Sequence, residues 1–248
     1  MGIFDSGQGL FVPEKEEYRR RKDEYTITIT RKGSMSYLKY NGIVYSMLDS
    51  EHPYTHSYHD YFLPLPLLYE KPRILVIGLG GGTIPYNLKR VYGSKVSMDV
   101  VEPNRDMIEI CRKFLPKDGM DFDLLVGDGI SHLKSRRGKY DIIMLDAYID
   151  GNIPEDFLQD EFVGMAYNSL EKDGILAINY AMDYFWMYVY MRRLSRLFKV
   201  SRIGHILFGN YILICSKSMG RREIKDRILR GMKPDSENAF LLKKYKSL

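Results

Sequence analysis

From Arg73 onward, short apolar runs alternate with amphipathic stretches, and the two periods interleave. RILVIG, starting at Arg73, is an apolar run of strand length that ends in a glycine cluster. Thr83 to Tyr92 can form a helix, and Val96 to Glu102 reads as a second strand. After Asn104, apolar Met107, Ile108, Cys111, Phe114 and Leu115 recur at helical spacing. DLLVG, a helix from Gly129 to Arg136 and the strand Tyr140 to Asp146 continue the series. Gly174 to Tyr180 gives a fifth strand, and Tyr184 to Phe198 a long amphipathic helix. KVSRIG and NYILICSK read as a closing pair of strands. Alternation of this kind predicts a parallel sheet with helices on both faces.

Ahead of this series the pattern differs. Tyr25 to Thr30, Met35 to Tyr40 and Ile43 to Leu48 are rich in β-branched and aromatic residues. Lys32-Gly33-Ser34 and Asn41-Gly42 separate them, and Asn-Gly between such runs signals a two-residue hairpin. A small antiparallel sheet is expected there, preceded by a charged, solvated lead-in over residues 1–24. Two units follow: 1–65, the lead-in and small β domain, and 66–248, the main α/β domain.

Gly78-Leu79-Gly80-Gly81-Gly82-Thr83 lies between the first buried strand and the first helix. Glycine suits a tight turn where backbone must approach a ligand. The next strand ends in Glu102, placed to accept hydrogen bonds from ribose hydroxyls. NAD would satisfy both features. Asp128, in Gly127-Asp128-Gly129, adds a third acid at a strand end, which in nucleoside-methyl donor folds can accept from an adenine amino group. No Gly-Lys-Ser/Thr follows the glycines, so a Walker loop is excluded. Asp146 ends the fourth strand and joins Gly78, Gly80, Gly82, Glu102 and Asp128 on one sheet edge. The fold class is α/β: a Rossmann-like, class I methyltransferase-type doubly wound sheet with a small N-terminal antiparallel β domain.

Charge changes the picture at one place. The chain carries 37 basic and 32 acidic residues, a net +5 that by itself implies no nucleic-acid partner. Yet Tyr140 to Glu171 contains no lysine or arginine and eight acidic residues. Such a run makes a negative mouth suited to a cationic substrate such as a polyamine, although Glu155 and Asp156 also suit the first turn of a helix beginning near Pro154. Two cysteines in apolar stretches, Cys111 and Cys215, read as buried thiols of a cytoplasmic protein. Gly2 and Ser6 fit a short myristoylation pattern that is common by chance. No apolar run approaches the ~20 residues of a membrane helix.

These residues resemble the spermidine synthase (aminopropyltransferase) family, over about Tyr40 to Tyr180. Tyr58-His59-Asp60 resembles the family's Tyr-His-Glu, VVEPN its ribose-binding strand end, and Gly127-Asp128-Gly129 its adenine-side Gly-Asp-Gly/Ala. YDIIMLDAYID resembles the strand whose last Asp opens the family's acidic gate. The resemblance implies transfer of an aminopropyl group from decarboxylated S-adenosylmethionine to a polyamine such as putrescine. It makes Asp146 catalytic with Tyr58 beside it, and assigns the donor to Gly78, Gly80, Gly82, Glu102, Asp128, Gly129 and Tyr45. His59, Asp150 and Glu155 fall to the acceptor. It also implies a homodimer and no metal. Three departures stand out: the glycine loop holds no acid, Tyr45 occupies the place of a donor-contacting Gln, and the second gate acid comes one residue late, at Asp150, with no proline after it.

Three other readings compete. An S-adenosylmethionine-dependent methyltransferase acting on a small molecule needs the same nucleoside site. A metal site could use His52, His56 and His59 with Asp60, whose spacing is ligand-like. A nucleoside sensor without turnover would show the same departures. Basic clusters at Arg19–Lys22, Arg221-Arg222 and Lys243-Lys244 read as solvated surface.

Overall fold

The computed structural model describes residues 13–116, 119–135, 139–149, 151–181, 183–204, 209–233 and 237–248. The possible acylation pattern at Gly2 and the acceptor residue Asp150 lie outside these.

The N-terminal sheet has four antiparallel strands in sequential order: β1 (Lys15–Arg21), β2 (Thr26–Lys32), β3 (Met35–Tyr40) and β4 (Ile43–Asp49). At the β3–β4 hairpin Asn41 and Gly42 both take positive φ, 47° and 81°, as a primed two-residue turn requires. The lead-in expected to be solvated is in part a strand. β1 pairs with β2 at the sheet edge, and Arg20 reaches Asp106 (3.1 Å) and Glu109 (2.9 Å) of the main domain. Every residue of it but Tyr18 is charged, which leaves no apolar face to read, because an edge strand is bathed on most sides.

The seven-stranded central sheet begins with β5 (Arg73–Ile77), whose four apolar residues are all buried, followed by helix α1 (Thr83–Tyr92). Then come β6 (Ser97–Glu102), α2 (Arg105–Phe114), β7 (Asp123–Val126), α3 (Gly129–Lys134) and β8 (Tyr140–Leu145). A 3-10 turn over Glu155–Leu158 leads into α4 (Asp160–Ser169), β9 (Leu170–Tyr180) and α5 (Tyr184–Leu194). β10 (Lys199–Gly204) and β11 (Tyr211–Ser216) close the sheet as an antiparallel pair. Two helices that no pattern announced, α6 (Arg221–Gly231) and α7 (Ala239–Lys246), pack back on the core, and buried Tyr245 donates to the Tyr61 carbonyl (2.6 Å).

The strand order is β10-β11-β9-β8-β5-β6-β7, with β7, β6, β5, β8 and β9 parallel. The chain winds outward from β5 to β7, then crosses back to β8 on the other side. The switch point therefore lies between β5 and β8, and a crevice opens at the carboxyl ends of these strands. Apolar side chains fill both sheet faces, one cluster around Ile74, Val76 and Ile110 and another around Leu75, Ile143 and Leu176.

Candidate active site

The glycine loop is shaped by what it must avoid. Gly78 follows β5 with φ 94°, and a Cβ there would stand 2.3 Å from the Asp146 carbonyl oxygen. Only glycine lets the ends of β5 and β8 approach so closely. A Cβ on Gly81 would meet Phe114 and Ser46, both at 2.7 Å. The Gly81 amide donates to Ser46 Oγ of β4 (2.7 Å), and Thr83 Oγ1 donates to the Met47 carbonyl (2.9 Å). The N-terminal sheet is thus fastened to the loop.

Glu102, at the end of β6, is buried and accepts from the amides of Leu79 (3.0 Å) and Asn104 (2.9 Å). Burial raises its pKa, and the two amides oppose that rise. Asp128 caps α3 through the Ser131 amide (2.8 Å) and stays exposed at the crevice wall. Gly129 beside it packs against Ile77. Asn104 caps α2 in the same way, accepting from Asp106 and Met107.

Asp146 sits half-buried at the end of β8. Its Oδ1 accepts from Asn179 Nδ2 (2.8 Å), and the Tyr58 hydroxyl lies 3.5 Å from Oδ2. Burial pushes its pKa up to about 6, with the Asn179 and Tyr58 bonds pulling the other way. Asn179 is itself held, accepting at Oδ1 from Asn210 Nδ2 (3.0 Å) and at its carbonyl from the Tyr148 hydroxyl (2.9 Å). Burial and the nearby Asp146 carboxylate raise the Tyr58 pKa far up, so its hydroxyl remains protonated.

A cavity of about 590 Å³ connects these groups. Gly78, Gly80, Glu102, Asp128, Gly129 and Asp146 all line it, as do Tyr45 and Tyr58. Three predicted residues take other positions. Gly82 caps α1 and packs against Cys111 and Leu115. His59 is buried behind Tyr58, stacked on its ring at 4.0 Å, and bonds Ser57 Oγ (2.7 Å) and the Tyr45 backbone. Burial lowers its pKa to about 3, so it is a neutral support for Tyr58 rather than a group facing the cavity. Glu155 is exposed and accepts from Gln159; the cavity wall is supplied by its neighbour Asp156.

Asn179 and Asn210, both lining the cavity, were missed in the sequence. The one available signal was a polar residue inside the apolar run ILAINY, at the carboxyl end of its strand. The histidines with ligand-like spacing diverge. His52 pairs with Glu237 (2.9 Å), His56 packs on Phe240 (4.5 Å between rings), and His59 turns inward. Among the described residues no group of three His, Cys, Asp or Glu is placed to hold a metal. No helix among them is long and apolar enough to cross a membrane. Asp60 is fully buried, accepts from the amide and hydroxyl of Thr55, and is pushed up to about 6 by burial.

A glycine turn and strand-end carboxylates around a switch-point crevice define a Rossmann-like α/β protein of the methyltransferase-type fold. Residues 55–199 match the spermine/spermidine synthase domain, more than half of the chain, and the chain belongs to that family. A polyamine aminopropyltransferase of Clostridium botulinum (strain Eklund 17B / Type B) is 28% identical over 174 residues. That match covers 61% of this chain and 61% of the relative's length. The spermidine synthase of Thermotoga maritima superposes with a TM-score of 0.66 at 18% identity, covering 94% of this chain and 88% of that one. Human methyltransferase-like protein 13, solved with SAH, gives 0.58 at 20% identity, covering 77% and 98%. At these identities the two structures show the shared fold.

Proposed function

We propose that the crevice binds an S-adenosyl-type sulfonium nucleoside and that the chain is an aminopropyltransferase, with decarboxylated S-adenosylmethionine as donor and a polyamine such as putrescine as acceptor. The observation that carries this reading is Asp146, a half-buried carboxylate fixed by Asn179 and Tyr58 in the same cavity as Glu102 and the glycine loop. Family membership and the aminopropyltransferase relatives support it.

In this reading the ribose hydroxyls lie against Glu102 and the adenine toward Asp128, with the loop free of Cβ atoms where the nucleoside approaches. The acceptor nitrogen attacks the carbon next to the sulfonium. The new C–N bond takes the amine lone pair, the C–S electrons pass to sulfur, and methylthioadenosine departs neutral. An alkyl ammonium has a pKa of ~10, so at neutral pH its lone pair is blocked by a proton. Asp146 binds the ammonium, orients it and accepts the proton as the bond forms. An approaching cation lowers the Asp146 pKa, so the carboxylate is ionised when it is needed. Tyr58, whose hydroxyl stays protonated, donates to the carboxylate and fixes its direction. Asp156, and Asp150 outside the described residues, are suited to the acceptor's far ammonium.

Calorimetric titration with decarboxylated S-adenosylmethionine, S-adenosylmethionine and methylthioadenosine, with and without putrescine, tests the reading. Preference for the decarboxylated donor and tighter methylthioadenosine binding with polyamine are expected. Preference for intact S-adenosylmethionine with indifference to polyamines would overturn it in favour of methyl transfer.

A further inference from the structure

The charges around the reacting centre do not balance on carboxylates alone. Granting the nucleoside reading above, the donor brings a sulfonium and a terminal ammonium, and the acceptor at least one further ammonium. Of the carboxylates lining the cavity, Glu102 is engaged by two backbone amides and Asp128 caps α3. Asp156 is exposed. Among the described residues that leaves Asp146 at the centre, one anion for several cations. The glycine loop adds none, since Gly78 through Thr83 contains no acid.

What stands around Asp146 instead is aromatic. Tyr45, Tyr58 and Tyr148 line the cavity together. Tyr58 comes nearest the carboxylate, its hydroxyl 3.5 Å from Asp146 Oδ2. Tyr45 packs on Tyr40, which also lines the cavity, at 5.3 Å between rings, and Tyr40 stacks on Tyr25 at 5.2 Å. Tyr148 is pinned through its hydroxyl to the Asn179 carbonyl. Aromatic rings held in place beside a cation attract it through the quadrupole, and do so best where water is excluded.

We propose that Tyr45 and Tyr148, with Tyr58, form a π-lined subsite that holds the cationic tail of the sulfonium donor, taking the part that a carboxylate would otherwise play and leaving Asp146 to the acceptor amine. Such a subsite recognises positive charge without repelling a nearby negative one, so it tolerates a tail that also carries a carboxylate. Tyr45 and Tyr148 thereby distinguish the charged donor from its neutral product rather than setting nucleoside affinity.

The test compares charged and neutral nucleosides on the full chain. Tyr45→Leu and Tyr148→Leu should each weaken decarboxylated S-adenosylmethionine by roughly 5- to 30-fold while changing methylthioadenosine, which is neutral, by less than about 2-fold. Tyr45→Phe should restore most of the loss. Replacing Tyr45 with phenylalanines of increasing ring fluorination keeps the size of the side chain and drains its face of charge. Donor affinity should then fall stepwise while methylthioadenosine affinity holds. Equal losses for both nucleosides, or a flat fluorination series, would overturn the inference and leave the nucleoside reading intact. Failure of the unmodified chain to bind methylthioadenosine at all would sink that reading and this inference with it.

Discussion

At the amino ends of β6 and β8, the Tyr140 hydroxyl donates to Asp99 at 2.6 Å, with His132 a further 2.8 Å from that hydroxyl. At the carboxyl ends of the same two strands, Glu102 and Asp146 look into a cavity of about 590 Å³, against about 140 Å³ beside Tyr140. Both edges carry carboxylates and a tyrosine. At the amino edge the groups are spent on one another. At the carboxyl edge Asp146 is gripped from the sides by Asn179 and Tyr58 and left open to the cavity, at the expense of an ionisation pushed up to about 6. Acidic strand ends therefore do not mark a site by themselves. A site is marked where the supporting bonds stop short of satisfying the group they hold.

The largest effect expected from this contrast is at Asp146. Asp146→Asn should lower turnover by ~10²- to 10⁴-fold in steady-state kinetics. The same change should raise thermal stability at pH 7.5, because the folded chain holds this carboxylate at about 6 against 3.8 when free. A group with its pKa raised on folding costs stability above the folded value. The gain from Asn, about 1–3 kcal/mol, should therefore be full above pH ~6 and fade as pH falls toward ~4. Turnover close to that of the unmodified chain would remove Asp146 from the chemistry.

A middle effect belongs to Asn179. Its amide holds the Asp146 pKa down, so Asn179→Leu should move the acid limb of the kcat/KM profile to higher pH. Activity at pH 7 should drop ~3- to 10-fold and recover part of that loss at higher pH. A uniform loss at every pH would make Asn179 a packing residue only. The smallest effect on turnover should come from Tyr140→Phe at the opposite edge. Losing that hydrogen bond should lower the Tm by about 2–6 °C with turnover within ~2-fold of the unmodified chain. A kinetic loss matching that of Asp146→Asn would break the comparison between the edges.

Much of this was legible in the sequence, because short apolar runs and glycine turns are local signals. The strands from β5 to β8, the Asn41-Gly42 hairpin, and the common edge of Glu102, Asp128 and Asp146 all follow from pattern and topology. What escaped depended on partners distant in the chain. β1 is too charged to announce itself, and is tied down by Arg20 to residues 86 and 89 positions away. Asn179 looks like a flaw in an apolar strand until β8 brings Asp146 alongside. His59 carries the residue type of a ligand, and only the packing of Tyr58 over it turns it into a support. The inner row of tyrosines could not be foreseen, since Tyr45 and Tyr148 come from two different sheet systems.

The bonds from β4 to the glycine loop bear on how the chain divides. A cut between residues 65 and 66 looks natural on paper, yet it would strip Gly81 of its acceptor at Ser46 and Thr83 of its partner at Met47. The glycine turn is in this sense built jointly by two sheets that do not share a strand. Amide hydrogens of β4 and of the loop should open to exchange as one unit, and a nucleoside that quiets the loop should quiet β4 as well. The N-terminal sheet then acts less as an accessory to the crevice than as the back half of its clamp.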